Sequence, residues 1–510
     1  MDTEIELKFA VASEACVTST EVKKQLDTLL LPFIKTDGYN CKKLINTYFD
    51  TPTQLLRSYD FGLRIRTRDG ASEQTLKTAG RVVGGLHKRP EYNVDIEQNN
   101  KPDLSLFPDQ VWPDINLLND LQSSLTPLFT THFTRHTWLV DYQGSVIEVV
   151  CDSGEVSSED KSLDIREIEL ELVDGDMRQL FELADLLTEV LPLRLSNDSK
   201  AARGYRLFLN TELSNQAEIG MCELDSNMTV EQAFQRAIEH GLAYWQFHEE
   251  VYCHSQSLSS LQQVLKGVYL VRHTLNLYRE FIPKKAATQI WQEIKWLIRE
   301  FSWLDEAVHI KQLTSKKGNY RKKIAEDEQL ISYLEASRKG LQKESDVLKL
   351  FYSKEYSQLI LKLMRWLVER GWRCYSEIDE PKITQNVGVI AAKLNQQDWE
   401  KLKNMMPAKQ DFDAQDYIYF EKYIARGLLS GASLGDLFDS EDRSDFRAPW
   451  LDILEGIFEL KTLALFDENL TNYQGDNGQD LKVWSENKVK SLVNVLEQSR
   501  KSAFKMTPYW

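Results

Sequence analysis

The sequence has little cysteine and no long apolar segment. Its 510 residues include six cysteines, which are scattered without a CxxC or any other metal-ligand spacing. This arrangement argues against a structural zinc site and fits a reducing compartment, so we expect a cytoplasmic protein. No run of about 18 uncharged apolar residues is present, and the first residues are acidic. We therefore expect neither a membrane span nor a secretory signal.

Positive charge is outnumbered by negative charge: 62 Lys and Arg stand against 78 Asp and Glu, which gives a formal net charge of −16 at pH 7, and most of the negative excess falls on the first 210 residues. A protein with this balance is not expected to coat nucleic acid or an anionic membrane surface nonspecifically. We expect no nucleic-acid partner and no membrane partner. Phosphate chemistry in such a chain needs a local, enclosed cluster of basic residues, with cations to offset the surplus carboxylates.

The hydrophobic pattern divides the chain into two parts joined by a linker. Residues 1–209 contain about eight strand-like stretches, mostly adjacent and joined by short turns, which predicts an antiparallel β-barrel. Within this part, a short amphipathic helix is predicted over 21–35. Residues 210–228 are the predicted linker. Residues 229–510 begin with a capping-box sequence and repeat apolar residues three or four apart, which predicts an all-α helical bundle. The predicted fold class is therefore α+β.

Charged residues alternate along the first strand. Residues 1–9 read MDTEIELKF, which places Glu4, Glu6 and Lys8 on one face of a strand and apolar residues on the other. Taken alone, this is equally well an ordinary surface strand. The same alternation recurs in GLRIRTR at 62–68 and in REIELEL at 166–172. The recurrence favours a closed sheet that turns carboxylate and guanidinium faces inward, toward a metal and a polyanion.

Seven carboxylates fall on the strand faces that this interpretation turns inward. Carboxylates crowded together raise each other's pKa unless cations neutralise them. Magnesium or manganese suits such a set when the ion is shared with phosphate oxygens. A solvated charged face is the alternative. The candidate metal ligands are Glu4, Glu6, Glu148, Asp152, Glu167, Glu169 and Glu171.

Basic residues are spread over the same part of the chain. Arginine forks contact phosphate oxygens two at a time and lysine offers a point charge, so a ring of them inside a barrel would bind a short linear polyphosphate. The same ring would stabilise charge that moves during phosphoryl transfer. Simple salt bridges at the surface stay an open alternative for Arg57, Arg68 and Lys88. The candidates are Lys8, Arg57, Arg64, Arg66, Lys77, Lys88, Arg89, Arg135, Lys200 and Arg203.

These residues fall within a series of motifs that runs through the whole of residues 1–209. The motifs are EIELK at 4–8, TYFDTP at 47–52, LRIR at 63–66, TLK at 75–77, RPEYN at 89–93, FTR at 133–135, EVVCD at 148–152, REIELEL at 166–172 and SKAARGY at 199–205. The series resembles the CYTH family of triphosphate tunnel enzymes. Longer stretches are similar to those of bacterial CYTH–CHAD inorganic triphosphatases, namely GGLHKRPEYNV, LSNDSKAARGYRL and the helical LVRHTLNLY.

The resemblance implies an eight-stranded antiparallel tunnel and an enzyme that hydrolyses a phosphoanhydride bond of inorganic triphosphate, giving diphosphate and phosphate. It implies Mg²⁺ or Mn²⁺ as cofactor. One ion would bridge phosphate oxygens, and a second, held by the glutamates, would lower the pKa of the water that attacks the terminal phosphorus. Glu91 is a candidate to orient Arg89 or Arg135. The implied catalytic residues are Glu4, Glu6, Lys8, Arg66, Glu169 and Glu171. The implied phosphate contacts are Lys8, Arg64, Arg66, Lys77, Arg89, Arg135, Lys200 and Arg203.

The helical half resembles a CHAD domain, a family associated with binding polyphosphate through characteristic histidines and basic residues. The corresponding stretch usually opens with a histidine and carries several arginines, whereas this chain reads VYLVRHTLNLYREF at 268–281. We expect a docking or regulatory module whose partner the sequence leaves open. The other histidines of this half form no metal spacing and are interpreted as ordinary helix histidines, namely His240, His248, His254 and His309.

Two alternative functions remain open at this point. The substrate could instead be an organic triphosphate, such as thiamine triphosphate or a nucleotide. The chain could also be a noncatalytic scaffold that binds polyphosphate. Intact ExExK and ExExE sets argue against a mere scaffold, because binding an anion does not need so many carboxylates.

Overall fold

The computed structural model describes residues 2–68, 71–96, 101–114, 118–316, 318, 320–325, 327–341, 344–407, 409–473 and 478–510. The chain forms two compact units. The first joins Met1–Ser214 with Leu348–Glu369, and the second joins Asn215–Val347 with Arg370–Trp510. Residues 211–228 form neither helix nor strand. The domain boundaries 1–209, 210–228 and 229–510 stay a prediction, and the first unit takes in a segment from the helical half of the chain.

A closed antiparallel barrel is the centre of the first unit. Its strands and the two short strands beside it are β1 (Asp2–Val11), β2 (Ile34–Asp50), β3 (Gly62–Arg68), β4 (Ala71–Lys77), β5 (Arg81–Val83), β6 (Leu86–Ile96), β7 (Thr126–Tyr142), β8 (Ser145–Ser158), β9 (Lys161–Asp174) and β10 (Leu193–Leu195). Among the described residues, eight strands follow the order β1–β9–β8–β7–β2–β3–β4–β6, and β6 pairs with β1 to close the ring. The predicted barrel is confirmed.

Helices pack against this barrel. The helices of the first unit are α1 (Ser19–Leu30), α2 (Leu55–Ser58), α3 (Leu118–Ser124), α4 (Met177–Val190), α5 (Lys200–Leu209) and, from the distant segment, α13 (Lys354–Val368). The helix predicted over 21–35 ends at Leu30, because Ile34 already belongs to β2, where it is paired with Val140. Helix α1 packs against β7 and α4, and α4 packs against β9.

This cover decides which face of each strand is inside. On β1, Leu7 and Phe9 are fully buried and alternate with Glu6 and Lys8. Because successive strand residues point to opposite faces, the apolar face is covered from outside and the charged face is left for the interior. A charged strand face is normally exposed to water on the outside of a sheet. Here the outer face is apolar and covered, so the charged face lies inside the barrel.

Helix α5 is held tightly against the barrel. A Cβ on Gly204 would lie 2.0 Å from the ring of Phe129, so glycine is required for this close approach. The Tyr205 hydroxyl donates to the buried carboxylate of Asp50 at 2.7 Å. These contacts join the motif at 47–52 to the motif at 199–205. They fix the first turn of α5, which carries Lys200, beside the interior of the barrel.

Helix α13 packs against α4 and β10 within the first unit. The Ser357 hydroxyl is buried and donates to the backbone carbonyl of Leu193 in β10. At the surface, Lys354 forms an ion pair with Glu189 of α4. Because β10 pairs with the C-terminal end of β1, helix α13, although distant in sequence, supports the first strand of the barrel.

The second unit is helical. Its helices are α6 (Val230–Ser255), α7 (Leu258–Leu277), α8 (Lys284–Glu300), α9 (Leu304–Thr314), α10 (Arg321–Ile324), α11 (Glu328–Gly340), α14 (Glu380–Ile383), α15 (Val387–Met405), α16 (Ala414–Leu434), α17 (Ser440–Asn472) and α18 (Gly478–Ala503), and α12 (Glu344–Phe351) runs across the division between the units. The capping box predicted at Thr229 and Gln232 opens α6, which confirms that signal. In the part of the chain that the structure describes, no helix has the length and apolar character that a membrane crossing needs.

Candidate active site

The barrel encloses a cavity of about 650 Å³ whose wall is mostly charged. The strand pairing explains this, since it sets Glu6 opposite Glu171 and Lys8 opposite Glu169 on neighbouring strands. Among the described residues, the wall does not include Asp152, Glu167 or Arg203, although all three were predicted for the site. The predicted residues that the wall does include are Glu4, Glu6, Lys8, Arg64, Arg66, Lys77, Arg89, Arg135, Glu148, Glu169, Glu171 and Lys200.

One set of carboxylates, which we call the anchored carboxylates, is already paired with cations. It consists of Asp152, Glu167 and Glu169. The Lys200 ammonium lies 2.7 Å from Asp152 and 3.0 Å from Glu169, and it also contacts Glu167. Carboxylate oxygens of the three residues lie within 4.8 Å of one another, as metal ligands would. The ammonium of Lys200 contacts all three, however, so a lysine holds this cluster together.

Three further cations complete the anchored set. Lys8 lies 2.9 Å from Glu167, and Arg203 contacts the other oxygen of the same carboxylate. Arg135 donates two hydrogen bonds to Asp152, at 2.8 and 2.6 Å, and one to Glu169 at 2.9 Å. Burial alone would raise the carboxyl pKa values, but these cations hold the pKa of Glu167 at about 2 and that of Glu169 well below its usual range.

A second set, the open carboxylates, has too few cations. It consists of Glu4, Glu6, Glu148 and Glu171 on the cavity wall. Lys77 pairs with Glu4 at 2.5 Å, whereas the other three form no ion pair within the described ranges. Burial, then the neighbouring Glu4 and Glu148, raises the pKa of Glu171 to about 7. Burial also raises the pKa of Glu4 to about 7 and that of Glu6, with further contributions from nearby carboxylates.

The open carboxylates fit a hard divalent cation. They offer carboxylate oxygens only, which are the donors that Mg²⁺ and Mn²⁺ prefer. Crowded, buried carboxylates are stable as anions only when positive charge is supplied. Lys77 lowers the pKa values of Glu4, Glu6 and Glu171, but burial and the neighbouring carboxylates keep all three above the usual range. A bound divalent ion would compensate the remaining negative charge.

Several basic residues on the wall, in contrast, lack negatively charged or accepting partners. Arg66 donates through Nε to Asn46 at 2.9 Å, but it has no carboxylate partner among the described residues. Burial, then the neighbouring guanidinium groups of Arg64 and Arg135, lowers the pKa of Arg66 to about 9. The Nε atoms of Arg64 and Arg89 are buried and have no hydrogen-bond acceptor in the described parts of the chain. Donors without acceptors, gathered on one wall, fit an anion that brings its own oxygens.

Glu91 corrects one expectation. The carboxylate of Glu91 pairs with Lys77 at 3.0 Å and with Arg64 at 3.5 Å, so the prediction that it orients Arg89 or Arg135 is wrong. Burial alone would raise its pKa, but Lys77 and Arg64 lower the pKa of Glu91 to about 2. Arg89 instead donates two hydrogen bonds, of 2.8 and 2.6 Å, to Asp60, which lies between α2 and β3.

Several wall residues were not anticipated from the sequence. The polar or aromatic ones are Thr3, Tyr48, Thr75, His87, Asn93, Phe133 and Ser199. The period-two rule could have found most of them, because His87 is two residues from Arg89, Asn93 two from Glu91, and Thr75 two from Lys77. They were not predicted because the sequence analysis considered only charged residues on these strand faces. Burial, then the nearby Lys8 and Arg89, lowers the pKa of His87 to about 4, so the ring is neutral.

A surface position was kept open for Arg57, Arg68 and Lys88. It agrees with the exposure of Arg57 and Lys88, and the side chain of Arg68 lies outside the described residues. Lys88 is exposed, and the Arg57 guanidinium lies over the Tyr205 ring, with 4.7 Å between Cζ and the ring centroid. Neither residue is on the cavity wall. The histidines of the helical unit have local partners: His240 bonds the Gly220 carbonyl and His309 bonds Thr462.

Two ranges of the chain match known domain families. Residues 2–205 match the CYTH domain and residues 236–461 match the CHAD domain. An inorganic triphosphatase of Haemophilus influenzae is 38% identical over 208 residues, which are 40% of this chain and 54% of that protein. The match therefore spans about half the length of that relative.

Solved structures of low sequence identity are also similar. A Hippeastrum protein described as having a dominant triphosphatase activity is 18% identical, over 41% of this chain and 97% of its own, with a TM-score of 0.28. The CHAD domain from the plant Ricinus communis is 15% identical, over 56% of this chain and 96% of its own, with a TM-score of 0.42.

Proposed function

Because the chain carries a CYTH domain at residues 2–205 and a CHAD domain at residues 236–461, we propose that its barrel hydrolyses inorganic triphosphate to diphosphate and phosphate with the help of a divalent cation. One observation carries the proposal. The wall of a single cavity presents guanidinium donors without acceptors and carboxylates without enough cations. A triphosphate chain together with its metal ion supplies both missing partners.

The substrate side of the proposal uses the basic residues of the wall. Arg66 lacks a carboxylate partner, and the Nε atoms of Arg64 and Arg89 lack acceptors, so these three arginines are the first candidates for phosphate contacts. Lys8, Lys77, Arg135 and Lys200 complete the basic lining, each already oriented by a carboxylate. Arginine forks and ammonium groups held in place before the substrate arrives stabilise the transferred charge without reorganisation.

The metal side uses the open carboxylates, namely Glu4, Glu6, Glu148 and Glu171. When bound there, Mg²⁺ or Mn²⁺ would polarise a phosphate oxygen and lower the pKa of a bound water. In this proposal Asp152, Glu167 and Glu169 act differently from the ligand role the sequence suggested for them. They hold Lys8, Lys200 and Arg135 at the cavity wall, where these cations can contact the phosphate chain, and Glu167 also pairs with Arg203 behind the wall.

The reaction needs no nucleophile from the protein. The water oxygen forms a bond to the terminal phosphorus, and the bond from that phosphorus to the bridging oxygen breaks. Diphosphate leaves with the electron pair of that bond, and a proton of the water passes to solvent. The cavity residues bind the chain, keep it extended and offset the charge that builds on the leaving diphosphate.

Phosphate release by the purified full-length chain tests this proposal. Inorganic triphosphate, ATP, thiamine triphosphate and a longer polyphosphate are each supplied with Mg²⁺, with Mn²⁺ or with EDTA. We expect inorganic triphosphate to be hydrolysed fastest and EDTA to abolish turnover. Faster hydrolysis of ATP or thiamine triphosphate would instead support an organic triphosphatase. A chain that binds triphosphate and hydrolyses none of the four would be a binding module, which contradicts the proposal.

A further inference from the structure

The imidazole of His87 faces the cavity, and the reaction described above gives it no task. His87 lies on β6, paired with Glu6 of β1, and it is 8% exposed. It belongs to the cavity wall, and its Nε2 is buried with no hydrogen-bond partner in the described ranges. A buried polar atom without a partner is unfavourable, so such an atom at a binding cavity points to a partner that arrives with the ligand.

The other ring nitrogen determines what Nε2 can do. The ring forms a hydrogen bond to the backbone of Ser196, and this bond falls to Nδ1 because Nε2 has no partner. The Ser196 N–H is already donated to the Lys8 carbonyl at 3.0 Å, so the Ser196 carbonyl is the group that meets the ring. Nδ1 therefore carries the proton, and Nε2 presents a lone pair to the cavity.

Because Nε2 is a hydrogen-bond acceptor, its partner must be a donor. Phosphate oxygens are themselves acceptors, so an unprotonated phosphate chain does not satisfy Nε2. Lys8 lies close to the ring but is already held by Glu167, and Arg89 is held by Asp60. Water is a donor small enough to enter beside a bound triphosphate. The ring is also fixed on a strand rather than a loop, which makes it suitable for orienting a small molecule.

We propose that Nε2 of His87 accepts a hydrogen bond from the water that attacks the terminal phosphorus and thereby orients that water. The proposal rests on the triphosphatase function proposed above. In this role His87 touches a reacting molecule but forms no bond to phosphorus. It holds one water hydrogen away from the phosphate, so that an oxygen lone pair faces the phosphorus, and it leaves the binding of the phosphate chain to the arginines and lysines.

Two substitutions in the full-length chain separate the two ring nitrogens. His87→Asn places polar atoms near the position of Nδ1, where the bond to Ser196 can persist, but leaves nothing at the position of Nε2. His87→Gln carries an amide oxygen to the position of Nε2. We expect His87→Asn to lower kcat for inorganic triphosphate with Mg²⁺ on the order of 100-fold, with KM changed by less than about threefold. We expect kcat of His87→Gln to be at least about fivefold higher than kcat of His87→Asn.

A matched control and a second readout keep the result interpretable. His132→Asn changes an exposed histidine of β7 that is not on the cavity wall, and its kcat and KM should equal those of the wild type. If His87→Asn is misfolded by circular dichroism, His87→Ala is assayed with added imidazole. We then expect kcat to rise with imidazole concentration in that variant and not in the wild type, and a flat response contradicts the proposal.

The remaining outcomes are also decisive. An unchanged kcat in folded His87→Asn overturns the proposal, as does a raised KM with unchanged kcat, since that result would make His87 a phosphate contact. In both cases wild-type turnover shows that the triphosphatase function itself stands. Absence of turnover in the wild type rejects the triphosphatase function, and the role of His87 is rejected with it.

Discussion

Individual carboxylates on the cavity wall and just behind it carry the same charge but differ in how that charge is compensated. Glu167 is buried at 2% exposure and is surrounded by Lys8, Lys200 and Arg203, which hold its pKa at about 2. Glu6, unlike Glu167, is on the cavity wall, and burial and then the neighbouring Glu169 raise the pKa of Glu6. Replacing a carboxylate by an amide should therefore affect stability differently at the two positions, although the sequence alone presents them as equivalent members of one set.

We predict that Glu6→Gln and Glu167→Gln separate activity from stability. Glu6→Gln should lower metal-dependent triphosphate turnover by at least roughly 100-fold while leaving the unfolding free energy unchanged or higher, because it removes a crowded carboxylate. Glu167→Gln should lower the unfolding free energy by about 3 kcal/mol, because it leaves buried ammonium and guanidinium groups unpaired. Phosphate release and urea unfolding measure the two effects.

The control for this pair is Glu155→Gln, which changes an exposed glutamate of β8 that is not on the cavity wall. It should match the wild type in both measurements. Wild-type turnover in Glu6→Gln would reject the role of the open carboxylates. Wild-type stability in Glu167→Gln would reject the division into two sets.

Between elements, a buried polar network joins three helices of the second unit. His273 of α7 contacts Ser430 of α16 at 2.8 Å, and the Ser430 hydroxyl donates to Asp398 of α15 at 2.8 Å. Lys401 pairs with Asp398 at 2.7 Å, and Arg426 is the other charged group that acts on the histidine. Burial, with Arg426 and Lys401 opposing Asp398, lowers the pKa of His273 from 6.5 to about 4. The helix junction is therefore built for a neutral imidazole.

We predict that acid weakens this junction through His273. A histidine whose pKa is lower in the folded state binds fewer protons when folded, so its stabilising contribution is complete above about pH 6.5 and is lost as the pH falls toward 4. The unfolding free energy of the second unit should fall by about 2 kcal/mol between pH 7.5 and pH 5 through this group. Urea unfolding at the two pH values, compared with His273→Gln, measures it. An equal pH dependence in the variant would show that other groups are responsible.

At the scale of the whole molecule, the two units are not two consecutive stretches of the sequence. Every residue on the cavity wall lies before residue 209, so a 1–209 fragment contains the complete set of predicted catalytic residues. The first unit nevertheless includes Leu348–Glu369, and α13 within that segment bonds to β10 and packs on α4. The fragment would therefore expose the apolar surface that α13 covers and would leave the Leu193 carbonyl without its donor.

We predict that the 1–209 fragment is active but less stable than a fusion that restores α13. The fusion joins residues 1–214 to residues 348–369 through a flexible Gly/Ser linker. Thermal unfolding of the fragment should occur on the order of 10 °C below that of the fusion, because a loss of a few kcal/mol shifts the midpoint by this amount in a unit of this size. Equal midpoints would show that α13 does not stabilise the barrel. A folded but inactive fragment would show that residues beyond 209 contribute to the site.

The sequence by itself determined which side chains share a face, because strand and helix periods follow from local backbone geometry. This local information was enough to predict the barrel, the helical half and twelve of the residues that lie on the cavity wall. Tertiary structure alone decided the rest. Which acids meet Lys200 and Arg135, where Glu91 points, why His87 is left with an unpartnered nitrogen, and that α13 supports β10 all depend on contacts between residues far apart in the chain. Such contacts follow from how the strands close and the helices pack, and a local period contains no information about them.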